Sequence, residues 1–521
     1  MDEALNSLER CLIVVRMSDL MFPQTVLDQM RDDGDRIWFE HGSRVVTAAD
    51  VLRTARRVAS GLRAAGVGPG TGLAVSASVT PEAFAAMMAA WALGARIAGI
   101  RPGLTSGQLT HLLGDRVDAL LIDPANNTTE MRKAAGKLPV LCLGAAADLP
   151  DVLAAEDDGA PLRASGRPED VARIIYTSGS TGNPKGGVQT YAAMSLDWPA
   201  YPEYWSPAIR EMASGMQRHL LFGTLNSQVA LDYALVAVLS GGIVVIPENM
   251  DLRPFFPAVI ARHRITSSIM SVPRLYQMLD SLRTDPVDVS SLRTLMVSGS
   301  PLNPQRYADA LRRLGPVVFQ GYGQTEAGLL SMLTPREALA SKGALESVGR
   351  FQHRAKLEVR GPDGAPVPPG EVGELFVQTP HQASGYWADP QEAAEVFVEG
   401  WIRTRDLGYV DGDGYVHLVG RAREVIIVNA NVYYAGPIER VLAEHPSVDQ
   451  AYVVGKDDEQ TGEAVHAFVV PRPGAQPDIG ELRDWVQSRL GQACVPRTVT
   501  FITEVPIGPS GKPNKRALAS R

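Results

Sequence analysis

Apolar and polar positions along this chain fall into two textures, with a change near residue 345. In the first, apolar residues recur at helical spacing or in short unbroken runs. Ala48 to Ala65 has the helical spacing, and Val67-Gly68-Pro69-Gly70 ends it. Leu73-Ala74-Val75 predicts a strand, and Pro81 to Leu93 a buried, alanine-rich helix. Ala119 to Ile122 and Val140 to Leu143 predict further short strands. The pattern continues through Val236 to Val245, a helix over Phe255 to His263, and Ile265 to Met270. Leu292 to Val297 predicts another strand, with a helix near Gln305 to Leu314. Such alternation predicts α/β layers, with helices covering a mostly parallel sheet.

Beyond residue 345 the runs Lys356 to Arg360 and Val372 to Gln378 flank the turn Gly361-Pro362-Asp363-Gly364 and predict antiparallel strands. A boundary falls near Gly420 to Glu424. A compact α+β pattern follows: a strand at Val425 to Val428, a helix over Pro437 to Glu444, strands at Ala451 to Val454 and Val465 to Val470, and a helix over Ile479 to Leu490. A large domain followed by one of about 100 residues is expected. Pro471 to Gly474 and Gly508 to Asn514 read as loops.

The length of 521 residues agrees, because one hydrophobic core rarely organises so long a chain. Apolar residues make up 45% and charged residues 21%, an ordinary soluble composition. A net charge of -8 argues against a broad nucleic-acid footprint. Cys11, Cys142 and Cys494 are too dispersed for a metal cluster or a disulfide framework, which fits a reducing cytoplasm. The short apolar run Leu12 to Val15 is followed by Arg16 and Asp19, so no secretory signal is expected. Ala83 to Ile100, broken by Arg96, and Ala234 to Ile246 read as core segments, and no stable membrane insertion is expected.

The chemistry concentrates in Tyr176-Thr177-Ser178-Gly179-Ser180-Thr181-Gly182-Asn183-Pro184-Lys185-Gly186, which follows the apolar run Val171 to Ile175. Glycines let backbone approach an anion closely, and N–H groups and hydroxyls then cradle phosphate oxygens. Lys185 adds a point charge. The spacing is not that of a Walker A loop. A nucleoside triphosphate is the expected partner; read alone, the stretch is also compatible with a polar surface turn.

Three further segments join it: Gly321-Tyr322-Gly323-Gln324-Thr325-Glu326, residues 404–424, and Gly511-Lys512. Together, in order and spacing over nearly the whole chain, the four resemble the ANL superfamily of adenylate-forming enzymes. This superfamily includes acyl-CoA synthetases, firefly luciferases and the adenylation domains of peptide synthetases. The resemblance implies a large layered N-terminal domain that binds ATP and the acyl substrate, spanning 1–420. A hinge at 421–423 and a smaller, mobile C-terminal α+β lid at 424–521 would follow. It also implies that a carboxylate and Mg-ATP give acyl-AMP and pyrophosphate, with transfer to a thiol afterwards. ATP and CoA are then cosubstrates and Mg2+ the metal. A carboxylate is already ionised at neutral pH and needs no protein base. The site must instead hold the nucleophile in line and stabilise charge on phosphoryl oxygens.

By the same resemblance Thr177, Ser178, Ser180 and Thr181 contact the triphosphate, with Gly179 and Gly182 allowing the approach. Lys185 either neutralises the outer phosphates or holds the loop closed through an ion pair. Thr325 reaches the α-phosphate region, and Glu326 positions or ligates Mg2+ as a hard oxygen donor. Tyr322, between Gly321 and Gly323, flanks the adenine, with the turn Ser298-Gly299-Ser300-Pro301 beside the base. Asp406 accepts from the ribose hydroxyls, reinforced by Arg421. Lys512 is the catalytic lysine of the first half-reaction and Arg423 the hinge residue. In isolation Lys512 is one member of a basic run with Lys515 and Arg516.

The chain also departs from the family. Thr-Gly-Asp appears as Thr404-Arg405-Asp406, so Arg405 either points outward or makes a contact of its own. The paired glycines that admit pantetheine fall at Asn429, Ala430 and Asn431, and Ala430 either narrows the thiol route or selects a compatible backbone. CoA is the leading acceptor and a pantetheinylated carrier protein the alternative. Asn226, Ser227, Val272, Ser298, Gly321, Ala327 and Leu330 are the acyl-pocket candidates. Asn226 stands where family members often have an aromatic or histidine gate, and the exchange leaves room for a bulky acid; Tyr191 stands where a histidine often follows the glycine-rich segment and reads as outer packing. With no clear ammonium-binding aspartate, although Asp232 lies close, a non-amino acid is expected: polycyclic, alicyclic, aryl or longer acyl, including specialised natural-product acids.

Overall fold

The computed structural model describes residues 21–114, 117–146, 148–177, 184–248, 252–300, 302–422, 424–428, 431–458, 460–507 and 513–520. Two large sheets dominate. One has seven strands in the order Gly385–Tyr386, Lys185–Thr190, Val171–Thr177, Arg96–Gly99, Gly72–Ser76, Ala119–Ile122 and Val140–Cys142. Its last five strands are parallel, and the first two close it as antiparallel neighbours. The other has nine strands, with a parallel centre that includes Ser267–Ser271, Thr294–Ser298 and Val318–Gln324.

The helices Pro81–Ala92 and Gln228–Leu239 belong to the hydrophobic core that both sheets share. Their sequences explain this. Every residue of Pro81–Ala92 except Glu82 is buried, and such a helix, apolar all round, has no face for water. Its alanines permit close packing, while Phe84, Met87 and Trp91 fill the gaps. Thr80 caps it by accepting from the Ala83 amide at 3.0 Å, and Pro81 occupies the first turn.

Tyr191, expected as outer packing, is fully buried. Its hydroxyl donates to the carbonyls of Ala95 at 2.7 Å and Trp91 at 3.0 Å. Trp91 lies in the last turn of the helix, where its carbonyl also accepts from the Gly94 amide at 3.0 Å, so the phenol finds buried polar partners at the helix end. The apolar run Val236 to Val245 divides between two elements. Val236 lies inside Gln228–Leu239, and the strand begins only at Ile243, after a turn in which Gly241 takes φ 90°.

A five-stranded sheet, among it Lys356–Arg360, Gly373–Gln378, Trp401–Val410 and Val416–Arg421, carries the antiparallel texture read after residue 345. The C-terminal α+β part has its own core, which includes Ile426, Ile438, Leu442, Val469, Leu482 and Val486. A large mixed α/β domain with a smaller α+β domain is therefore the architecture. Arg306 of the former pairs with Asp449 of the latter. Among the described residues no helix is long and apolar enough to cross a membrane.

Candidate active site

Strands Val171–Thr177 and Lys185–Thr190 form a hairpin, with Thr177 opposite Lys185. The glycine-rich sequence falls between these two strands along the chain. Ser178, Gly179, Ser180, Thr181 and Gly182 lie outside the described residues, as do Pro301, Arg423, Asn429, Ala430 and Lys512.

A second hairpin, Val318–Gln324 with Gly328–Leu333, carries Thr325 and Glu326 in its turn. Both ends of that turn require glycine. A Cβ on Gly323 would meet the Gly328 carbonyl oxygen at 2.3 Å, and Gly328 itself has φ +72°. The two hairpins are neighbours: a Cβ on Gly187 would lie 3.8 Å from the Thr325 methyl. Tyr386, on the short strand paired to Lys185–Thr190, donates its hydroxyl to Glu326 Oε1 at 2.6 Å. Burial and the Glu326 charge both push the Tyr386 phenol up, so it stays a donor. Glu326 is thus an oriented carboxylate beside Thr325, a hard oxygen donor suited to Mg2+ on a polyphosphate. No cluster of three or more metal-ligating side chains occurs among the described residues, and Mg2+ carried by ATP keeps most of its ligands from phosphate and water.

Asp406 lies on Trp401–Val410, directly across from Arg421. It is 4% exposed, yet three side chains donate to it. Tyr322 reaches Oδ2 at 2.8 Å and Gln324 Nε2 reaches the same oxygen at 2.7 Å. Arg421 Nε stands 2.9 Å from Oδ1. The Asp406 amide donates to Thr404 Oγ1 at 3.0 Å, which fixes the backbone. A carboxylate offers about four acceptor positions, so this set leaves room for a ligand hydroxyl. Attraction to Asp406 outweighs burial and raises the Arg421 guanidinium further, while burial and the Asp406 charge raise the Tyr322 phenol. The Tyr322 ring packs with Ala327, Leu330, Val348 and Val377.

Lys185 Nζ pairs with Glu392 Oε1 at 2.8 Å, which matches the loop-holding alternative for this lysine. Arg405 does not point idly outward; it reaches the same oxygen at 2.6 Å and Glu395 Oε2 at 2.7 Å. Lys515 pairs with Glu424 at 2.7 Å and Glu439 at 2.8 Å, which separates it from Lys512 as a structural lysine.

The acyl-pocket candidates do not form one group. Asn226 lines a narrow cavity with Met87, Trp91, Ile97, Leu225, Gln228 and Leu231. Its amide donates to the carbonyls of Val75 at 2.9 Å and Ile100 at 2.8 Å, tying the loop to the sheet. Ser227 precedes Gln228–Leu239 at its N-cap position without a side-chain capping bond, and Ser298 lies opposite Gly321 on adjacent strands, followed by Gly299 at φ +97° and Ser300. Ala327 and Leu330 join the Tyr322 core, whereas Val272 belongs to a separate core with Leu275. Asp232 is buried beside Arg173 and Asp197. Burial, then the Asp197 charge, push it well above the usual carboxylate range against the pull of Arg173. Sequence reasoning missed Gln324, Tyr386 and Glu392. Their roles depend on which strand lies opposite, and only Gln324, inside a recognised motif, carried a local signal.

Two hairpins meeting beside a donor-rich carboxylate are the arrangement expected of an enzyme that binds ATP and activates carboxylates. The chain belongs to the AMP-binding enzyme family: the family model matches residues 26–387, and that of the AMP-binding enzyme C-terminal domain matches 437–512. A feruloyl-CoA synthase from Amycolatopsis sp is 34% identical over 475 residues, covering 91% of this chain and 93% of that protein. A fatty acid–[acyl-carrier-protein] ligase, ScoC from Streptomyces coeruleorubidus, is 30% identical and covers 92% of each. The solved amide bond synthetase McbA from Marinactinospora thermotolerans is 34% identical with a TM-score of 0.86, covering 95% of this chain and 98% of that one. The protein is an AMP-forming, adenylate-forming ligase that uses ATP and Mg2+.

Proposed function

We propose that this ligase converts a non-amino carboxylic acid to its acyl-AMP and hands the acyl group to an acceptor other than free CoA. The acceptor classes are a carrier-bound pantetheine thiol and an amine. The observation that carries the choice of acid is Asp232. A carboxyl pushed up by burial and committed to the Arg173–Asp197 group makes a poor partner for an ammonium ion. In this reading Asp406 and Arg421 hold the ribose, and Tyr322 and the Ser298 to Pro301 turn flank the base. Thr325, Lys185 and the hydroxyls of 177–181 surround the phosphates, Glu326 positions Mg2+, and Lys512 reaches the reacting oxygens. The domains divide at 420 and 424, with Arg423 as the hinge between half-reactions.

Two features favour a non-CoA acceptor. Ala430 replaces a family glycine on the thiol route. The similarity to the amide bond synthetase also extends over 95% of this chain. Free CoA is the second reading, favoured by the equal 34% identity to the feruloyl-CoA synthase. The reactions occur in the cytoplasm, where ATP and reduced pantetheine coexist.

Mass spectrometry separates the readings. A pooled acid library is incubated with enzyme and Mg-ATP, alone or with CoA, a pantetheinylated carrier protein or an amine pool. Acyl-AMP accumulating with CoA present, and consumed by carrier or amine, supports the proposal. A CoA thioester formed at the rate of adenylation replaces it with the second reading.

A further inference from the structure

Arg405 stands in an unusual backbone state for a residue with a side chain. Its φ of +60° is left-handed, a conformation that disfavours any residue with a Cβ. The side chain offers a compensation. Its guanidinium bridges Glu392 and Glu395, both on the helix Pro390–Val396. Glu392 is the unusual member, because a single oxygen, Oε1, receives both Arg405 at 2.6 Å and Lys185 at 2.8 Å. All three side chains are largely buried, at 14–15% exposure, so water screens the group little. Burial works to raise the Glu392 carboxyl, but the two cations hold it below its ordinary value.

Two cations on one oxygen repel each other, and either alone suffices to neutralise a carboxylate. The two differ in what they are attached to. Lys185 stands at the base of the glycine-rich hairpin, whereas Arg405 is anchored by its second bond to Glu395 and by the Ala422 amide on its carbonyl at 2.9 Å. A lysine is also a flexible point charge, whereas the guanidinium is a rigid fork.

We propose that Arg405 is a positioning residue that makes Lys185 exchangeable. Lys185 rests on Glu392 without nucleotide and moves to the outer phosphates of bound ATP. Arg405 stays behind as the sole counter-charge of Glu392, so no buried carboxylate is left unpaired when the lysine leaves. With glycine at 405, departure of Lys185 would strand that charge, and the triphosphate would bind more weakly. This inference rests on the ATP-binding reading of the site.

Calorimetric titration of the full chain with Mg2+ and α,β-methylene-ATP, beside titration with AMP, tests it without an acid substrate. Arg405→Gly is expected to weaken the triphosphate analogue about tenfold, the scale of one contact to a charged group, and to leave AMP unchanged. Arg405→Lys should restore much of the loss. Glu392→Gln should tighten the analogue and cancel the effect of Arg405→Gly in the double variant, while Lys185→Ala should weaken it. Equal weakening of AMP and the analogue in Arg405→Gly would overturn the proposal in favour of a role at Asp406. An unchanged analogue affinity in Arg405→Gly or in Lys185→Ala would also overturn it. A wild-type protein that bound neither nucleotide would instead bring down the ATP reading itself.

Discussion

Two buried carboxylate clusters in the large domain behave in opposite ways. Asp406 is 4% exposed and Asp232 8%, so burial alone does not separate them. Asp406 has Tyr322, Gln324 and Arg421 as donors. Asp232 and Asp197 share one guanidinium: Arg173 stands 3.3 Å from Asp197 and 4.0 Å from Asp232. In that cluster Asp197 Oδ1 and both ring nitrogens of the buried His381 have no hydrogen-bond partner among the described residues. Burial also pushes the His381 imidazole down, against the pull of Asp197, which keeps the ring neutral. Asp232, with few donors and a like charge beside it, is the carboxyl that burial pushes up. The nucleotide side surrounds its carboxylate with donors, whereas burial and the Asp197 charge push the deeper Asp232 towards its protonated form.

The largest expected break falls outside both clusters and calibrates them. Lys512→Ala should lower adenylation by about 10²- to 10³-fold, the cost of one charge-stabilising group, and largely spare transfer from supplied acyl-AMP. Equal loss of both steps in a folded variant would remove that role. Asp406→Asn comes next. It keeps the shape but loses the charge, and should cut adenylation by about 10- to 100-fold with little change in melting temperature. The deeper cluster should respond inversely. Arg173→Met leaves Asp197 buried without its cation and should cost about 3 kcal/mol of stability, read as a lowered melting temperature. If it melts like wild type, the two carboxyls already share a proton.

The smallest effect sharpens the sign of the comparison. Asp232 has a folded-state value above its unfolded one, so folding favours its protonated form. Its contribution to stability is full below the ordinary carboxylate value of 3.8 and falls as pH rises towards the folded value. Asp232→Asn has no such dependence. Its melting temperature should therefore improve relative to wild type between acidic and neutral pH. A difference that is flat or shrinks with pH would mean that Asp232 keeps its charge.

Much of this was legible from local pattern. The helix Ile479–Leu490 and the strand Val425–Val428 have the bounds that apolar spacing predicts. Thr325, Glu326 and Asp406 were picked out because their segments resemble those of adenylate-forming enzymes. Val236 to Val245 read only as one apolar run because a helix and a strand that are both buried leave no polar face to reveal a period. Glu392 was invisible for a different reason. Its two cations are 207 residues before it and 13 after it in the chain, and only the pairing of Gly385–Tyr386 with Lys185–Thr190 places its helix beside them. Arg405 was recognised as a departure, but the carboxylates that receive it come from tertiary structure.

The most direct test of the central claim is acid-dependent exchange of labelled pyrophosphate into ATP, run with the same acid library. The account predicts exchange that requires Mg2+ and an acid, is strongly reduced in Asp406→Asn and Lys512→Ala, and proceeds without any acceptor. Acid-dependent release of ADP and phosphate without exchange would contradict it, because attack would then fall on the outer phosphate and not on the α-phosphate.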